Sequence, residues 1–403
     1  MHVNMEQGDL LRGLEHTLGV VDKRGVMPIL AHCLVEAKGQ GLVISATDLE
    51  ISFRGASPAE VREPGTFAVR AHTLHSLVKG LPKAGLEMTG DENRIKVIAG
   101  ESRYKFLTLP AEQFPPLPAA AEEDLAEVEA SALVDLINKV IFSMGEDLQY
   151  HLQAVLWERV DKEDGPCLRL VSSDGHRLSL ADGRPGLEGL EALTSILVPA
   201  KAVREIKRFA EHNAADGKIS LGLMWPQKEQ GGLFDEEGQE KEEAEEEVKE
   251  PPQFLCLKAG DKELSIRLLD RKFPDYQRII PESFENAFTF NRQELAAAVR
   301  RISLLTPERF RGMVLSLADG TAELTHDNPE VGKGREVVEV LEKSCNLEEP
   351  LRVGFNARYL IEPLAVMKGD LAVLEINEPT RPARLQDPAD PGALWLVMPM
   401  DIY

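Results

Sequence analysis

VRAHTLHSLVKG (Val69 to Gly80), VPAKAVREIKRF (Val198 to Phe209) and FNARYLIEPLAV (Phe355 to Val366) follow one pattern: an apolar residue, one position, alanine, two positions, then another apolar residue. In each stretch apolar residues go on recurring at three- and four-residue intervals, which predicts a short helix. The alanines are Ala71, Ala200 and Ala357, separated by 129 and 157 residues. The second interval is longer by 28 residues, the length of PQKEQGGLFDEEGQEKEEAEEEVKEPPQ from Pro226 to Gln253. That stretch of Gly, Pro and acids has too little apolar content to build a core. With it set aside the period is restored, and such a period means one structural unit copied along the chain.

Working outward, each copy has a second helical pattern upstream: Leu10/Leu14/Leu18, then Leu133/Ile137/Val140/Met144, then Leu295/Val299/Ile302. The i, i+3, i+4, i+7 spacing puts each set on one buried stripe. Behind these come alternating runs that read as hairpins: CLVEAKGQGLVISATDLEIS from Cys33, AVLWERVDKEDGPCLRLVSS from Ala154 and VLSLADGTAELTHD from Val314. Each copy closes on an apolar strand, YKFLTLP from Tyr104, LSIRLLD from Leu264 and ALWLVMP from Ala393.

The expected fold class is therefore α+β, with three repeated domains of two helices each on antiparallel sheet. A chain of 403 residues has room for about three such cores. The expected boundaries are 1–120, 127–281 with the insertion at 226–253, and 282–403. Edge strands left at the two ends of such an array would be satisfied by head-to-tail pairing with a second copy, which closes a dimeric ring.

The formal net charge is -22, of which the insertion, with eleven acids and three lysines, carries -8. A surface so acidic cannot wrap phosphates broadly, so any nucleic-acid contact must be local or topological. The helices run against this trend. Lys201, Arg204, Lys207 and Arg208 cluster in the second copy, and Arg292, Arg300 and Arg301 lie in the third. Inward-facing helices would give an acidic ring a basic lining that touches phosphates without reading sequence.

Cys33, Cys167, Cys256 and Cys345 form no C-x-x-C pair, so we expect buried free thiols and no metal or cofactor. The opening MHVNMEQGDLL lacks the features of a secretory signal, and no apolar run is long enough to cross a bilayer. A cytoplasmic protein without a membrane partner is the expectation.

SSDGHRLSLA (Ser172 to Ala181), RKFPDYQRIIP (Arg271 to Pro281), FRGMVLSL (Phe310 to Leu317) and LVMPM (Leu396 to Met400) together resemble the bacterial DNA polymerase III beta-subunit, or sliding-clamp, family. MPILAHCLVE (Met27 to Glu36) and ATDLEISF (Ala46 to Phe53) are similar to the same family. The resemblance implies a non-enzymatic processivity factor: a homodimeric ring placed around double-stranded DNA by a clamp loader complex, tethering the DNA polymerase III catalytic subunit.

It further implies a hydrophobic cleft that takes short motifs from clamp-binding partners. The cleft would be made of Leu152, Ser173, Gly175, His176, Arg177, Leu178, Pro274, Arg278, Ile279, Leu396, Val397, Met398, Pro399 and Met400. Arg24, Lys79, Tyr150 and His151 fall where the family contacts DNA. His151 departs from the tyrosine of the best-known member, and Asp401 sets a carboxylate beside the cleft.

Two rival readings use the same residues. Ser172, Ser173, Asp174 and His176 offer the side chains of a hydrolase, but on a strand and its turn neighbours point to opposite faces and no nucleophile elbow is present. A passive β-rich scaffold without a DNA role is the other. Within the insertion, Gln230, Leu233 and Phe234 form a Q-x-x-L-F motif of the kind clamp partners present, so the chain carries a candidate ligand for its own cleft.

Overall fold

The computed structural model describes residues 1–22, 25, 27–39, 41–90, 93–118, 125–145, 152–191, 193–213, 217–225, 251–306, 312–318, 320–345, 347 and 349–401. Among these residues lie six α-helices: α1 (Gln7–Val20), α2 (Ala71–Gly80), α3 (Ala130–Val140), α4 (Ala200–Asn213), α5 (Arg292–Ser303) and α6 (Ala357–Val366). The repeat alanines Ala71, Ala200 and Ala357 are the first residues of α2, α4 and α6. The shared pattern thus marks the strand-to-helix junction, with Ala71 and Ala357 fully buried there and Ala200 half-buried. Asn356 caps α6 by accepting the Arg358 N–H at 3.0 Å, and Asn291 caps α5 through the N–H groups of Gln293 and Glu294.

The buried stripes differ from expectation in two places. Leu10 and Leu14 are buried on α1, but the stripe continues through Thr17 and Val20, and Leu18 is half-buried. α3 stops at Val140, so Met144 is buried beyond a 3-10 turn at Ile141–Ser143.

The chain forms two compact units. The first holds residues 1–131, 186–193 and 204–270. Its five-stranded sheet runs Glu60–Glu63, His2–Glu6, Gly85–Gly90, Arg94–Ala99, Ser102–Leu107. Its eight-stranded sheet runs Leu125–Glu129, Lys218–Met224, Phe254–Ala259, Lys262–Arg267, Ile51–Pro58, Gly41–Thr47, His32–Lys38, Gly65–Arg70. α1 packs against α2 and against the strands Gly41–Thr47 and Ile51–Pro58.

The second unit holds residues 132–185, 194–203 and 271–403. Its nine-stranded sheet runs Ser195–Pro199, Ala154–Lys162, Gly165–Ser173, Arg177–Gly183, Ala393–Val397, Ala383–Gln386, Leu371–Ile376, Asn286–Asn291, Glu342–Ser344. A four-stranded sheet runs Gly332–Glu339, Thr321–Asn328, Gly312–Leu317, Leu351–Asn356, and α5 packs against α6.

The same joint occurs once in each unit. In the first, the closing strand of the central repeat pairs with a hairpin strand of the first repeat, setting Leu264 opposite Phe53 and Ile266 opposite Ile51. In the second, the closing strand of the third repeat pairs with a hairpin strand of the central repeat, setting Leu178 opposite Leu396 and Leu180 opposite Leu394. Buried side chains of this size contribute about 2 kcal/mol each, so apolar pairs hold both joints. One closing strand, Ser102–Leu107, and one third hairpin strand, Gly332–Glu339, are left as outer strands of their sheets.

Cys33, Cys167 and Cys256 are buried and free, whereas Cys345 is half-exposed. Burial pushes the Cys33 thiol up to about 12 and the Cys256 thiol up to about 11, which keeps both protonated. Among the described residues no cluster is suited to a metal ion, and no helix is long and apolar enough to cross a membrane.

Candidate functional site

Antiparallel pairing sends opposed residues to the same face of a sheet, so register sorts the residues of the nine-stranded sheet. Leu156, Val171, Leu180 and Leu394 share one face, as do Ser173, Leu178 and Leu396. Trp395, opposite Ser179, lies on the other face and donates from Nε1 to the Lys139 carbonyl of α3 at 2.9 Å. Arg177 and Val397 oppose each other on that second face. The proposed cleft residues therefore divide between an outer apolar face and the helix-packed side.

Arg177 is the clearest departure from a ligand-facing role. It is 6% exposed. Its guanidinium donates to Asp174 at 2.9 Å, to Glu362 of α6 and to the Phe142 carbonyl, and lies 4.4 Å from the Tyr359 ring centroid. A charge so enclosed braces the turn in front of it. In that turn, Asp174 accepts the N–H groups of His176 at 2.9 Å and Arg177 at 3.0 Å, and Gly175 takes φ +85°, which favours glycine. Gly175 and His176 are left exposed, and the His176 carbonyl accepts the Met398 N–H at 2.9 Å.

The residues expected to form the cleft thus divide by exposure into a buried floor and an exposed rim. Leu178 and Leu396 are 1% and 3% exposed and Ser173 is buried, whereas Val397, 1% exposed, is buried on the opposite face. Met398 and Ile279 are 39% and 49% exposed, Pro274 and Arg278 are exposed, and Leu152, Pro399 and Met400 are half-buried. A pliable thioether and aliphatic side chains, with His176 and Arg278 as polar groups, are the residue types that suit an apolar anchor in an extended peptide.

The same outer face carries a row of charge that sequence inspection missed. Glu158 opposes Arg169, and Arg169 opposes Asp182. Arg169 grips Asp182 through two bonds at 2.7 and 2.8 Å, and Lys162 adds a third contact at 2.7 Å. Burial pushes the Asp182 carboxyl up, but the bonds from Arg169 and Lys162 outweigh it and hold it below the usual carboxylate range. Tyr276, 5% exposed, donates to Glu158 at 2.7 Å and accepts from Arg169 at 3.3 Å. Burial first, and then the bond to Glu158, raises its phenol above the ordinary value, so it stays a donor. Tyr276 stood in the quoted motif RKFPDYQRIIP, but its partners become visible only through strand register.

The hydrolase arrangement does not form. Ser172 Oγ donates to the Val140 carbonyl at 2.5 Å and Ser173 Oγ to the Arg177 carbonyl at 2.8 Å. Among the described residues no hydrogen bond joins either serine to the His176 ring.

Of the DNA-facing candidates, Lys79 is exposed in the last turn of α2. α4 buries Ala202, Val203, Ile206, Phe209 and Ala210, which turns Lys201, Arg204, Lys207 and Arg208 toward its other side. Arg204 and Arg208 are exposed, and Lys201 and Lys207 are half-buried. Acids temper this stripe: Glu205 lies 3.7 Å from Arg208 and Glu211 3.8 Å from Lys207. Arg24, Tyr150 and His151, and the motif residues Gln230, Leu233 and Phe234, lie outside the described residues.

Models of the DNA polymerase III beta subunit match in chain order: the N-terminal domain over residues 1–118, the central domain over 127–275 and the C-terminal domain over 277–401. The chain is 31% identical over 406 residues to a beta sliding clamp of Caulobacter vibrioides, covering 100% of both. It is 31% identical over 403 residues to one of Pseudomonas putida, covering 99% of this chain and 100% of that one. Its fold is similar to a solved beta sliding clamp of Caulobacter crescentus, with a TM-score of 0.85 at 30% identity and 100% of each chain covered. A DNA polymerase III subunit beta from Bartonella birtlesii, solved bound to griselimycin, has a TM-score of 0.85 at 25% identity, again over 100% of each chain.

Proposed function

The chain belongs to the DNA polymerase III beta-subunit family, the bacterial sliding clamps, and we propose that two copies close head to tail into a ring around duplex DNA. As a member of that family it is a processivity factor for DNA replication, an accessory subunit rather than an enzyme.

One observation carries the ring. The joint between a closing strand and a third hairpin strand is made twice within the chain, and one strand of each kind is left over. Ser102–Leu107 is an outer strand with Leu107 75% and Tyr104 43% exposed, and Gly332–Glu339 is an outer strand with Val337 53% exposed. Two unpaired edges of complementary kind invite the third version of the same joint, made between copies. A heterologous contact that closes after two copies yields a ring of six repeats.

The basic stripe of α4, with Lys79, supports a channel lining that contacts phosphates without sequence preference, with Arg24, Tyr150 and His151 as further contacts. The outer apolar face and rim of the second unit form the partner cleft. It takes short apolar motifs from the DNA polymerase III catalytic subunit, the clamp loader complex and other clamp-binding proteins. The three repeats are read as domains 1–120, 127–281 and 282–403.

The ring is tested by loading the protein onto nicked circular DNA and then cutting the circle. Retention on the circle and release from the linear form is the expected result, with a dimeric mass in solution. A monomer that stays bound equally to both forms would rule the ring out.

A further inference from the structure

Pro274, Arg278 and Ile279 stand on a segment with little regular structure of its own. Residues 268–275 form neither helix nor strand, and a single 3-10 turn follows at Tyr276–Ile279. A rim carried on such a segment needs something other than backbone ladders to fix it. Within Tyr276–Ile279 the one buried residue is Tyr276, and Gln277, Arg278 and Ile279 around it are exposed.

We propose that Tyr276 is the positioning residue of the cleft, pinning the Arg271–Ile280 strap to the Glu158–Arg169–Asp182 row so that Ile279 and Pro274 stand over the apolar face. The inference rests on the cleft reading above. Three features carry it. The Tyr276 hydroxyl is held on both sides, donating to Glu158 at 2.7 Å and accepting from Arg169 at 3.3 Å. One of its partners is itself immobilised, because Arg169 is locked to Asp182 by paired bonds at 2.7 and 2.8 Å. The row lies on the face that also presents Leu178 and Leu396. Within the strap, the half-buried Phe273 sets its ring edge-on to that of Tyr276, 6.5 Å away and tilted 64°. The phenol touches no ligand. Its effect is to fix in advance a wall that would otherwise be ordered at the expense of binding.

The test uses the full-length protein and a fluorescein-labelled decapeptide with a Gln-x-x-Leu-Phe core, read by anisotropy. Tyr276→Phe keeps the ring and removes the hydroxyl, and is expected to weaken binding by roughly threefold to tenfold, the scale of one or two lost hydrogen bonds. Glu158→Gln, which leaves Tyr276 in place, shifts affinity in the same direction by less. The diagnostic is non-additivity. Ile279→Ala costs affinity in the wild-type background and little more in Tyr276→Phe, because the strap has already moved, whereas His176→Ala on the turn costs the same in both. A merely structural role would lower the thermal transition and leave both combinations additive, and that result overturns the inference, as does peptide binding unchanged by Tyr276→Phe. Failure of the wild-type protein to bind the peptide overturns the cleft reading itself and the inference with it.

Discussion

The carboxylate of Glu362 serves two guanidinium groups at once: that of Arg177, whose side chain is 5% exposed, and that of Arg358, 47% exposed and 2.9 Å away. The two contacts have different weights, because an exposed i, i+4 pair contributes a few tenths of a kcal/mol while an enclosed cation deprived of its partner is costly. Arg177 would keep Asp174 and the Phe142 carbonyl, so Glu362→Ala should lower stability by about 1–3 kcal/mol. Arg358→Ala should change it by no more than about 0.5 kcal/mol. Calorimetric unfolding of the two variants checks the contrast, and equal losses would refute it.

His16 on α1 stacks on Phe53 at 5.0 Å and lies 6.5 Å from His212 and 6.4 Å from Phe209, both on α4. Burial lowers its pKa to about 4, with further lowering from Lys262, His212 and Arg208. A folded-state pKa below the unfolded value means that the unfolded chain takes up the proton first. The stabilisation is therefore complete above about pH 6.5 and is lost as pH falls toward 4. Urea titrations should show the advantage of wild type over His16→Gln shrinking by up to about 3 kcal/mol across that interval. A difference independent of pH would contradict the assignment.

Rim and floor of the cleft should respond differently. Met398→Ala and His176→Ala remove exposed groups and should weaken a Gln-x-x-Leu-Phe peptide several-fold while leaving the thermal transition in place. Leu178→Ala empties a site 1% exposed and should cost about 2–4 kcal/mol of stability as well as affinity. Measuring affinity and melting on the same samples separates the two classes.

Charge reversal at Arg204 and Arg208 should slow loading onto DNA and flatten its dependence on salt, without abolishing retention on a closed circle. If both residues face phosphates, the slope of the log equilibrium constant for DNA association against log salt should shrink in magnitude by roughly 2. Loss of retention on the circle at low salt would point to adhesion rather than enclosure.

Deleting Gln230 to Phe234 should tighten the binding of a free cleft peptide, because a tethered motif competes at high effective concentration. An unchanged dissociation constant would identify the Q-x-x-L-F match as coincidence.

The repeat and the α+β class were legible in the chain because helix starts and alternating runs are local. Ala71, Ala200 and Ala357 mark three strand-to-helix junctions whatever surrounds them. Motif resemblance gathered the cleft residues into one list. Tertiary pairing decided which of them share a face, since a strand neighbour points the opposite way and only register says which way is out. So Leu178 joins the apolar face, while Arg177, adjacent in sequence, turns inward to Glu362 and Tyr359. The Glu158–Arg169–Asp182 row joins residues from separate strands, and Tyr276 meets it from more than a hundred positions away. Contacts of that range leave no periodic trace in a sequence. They exist only once the sheet has set its register.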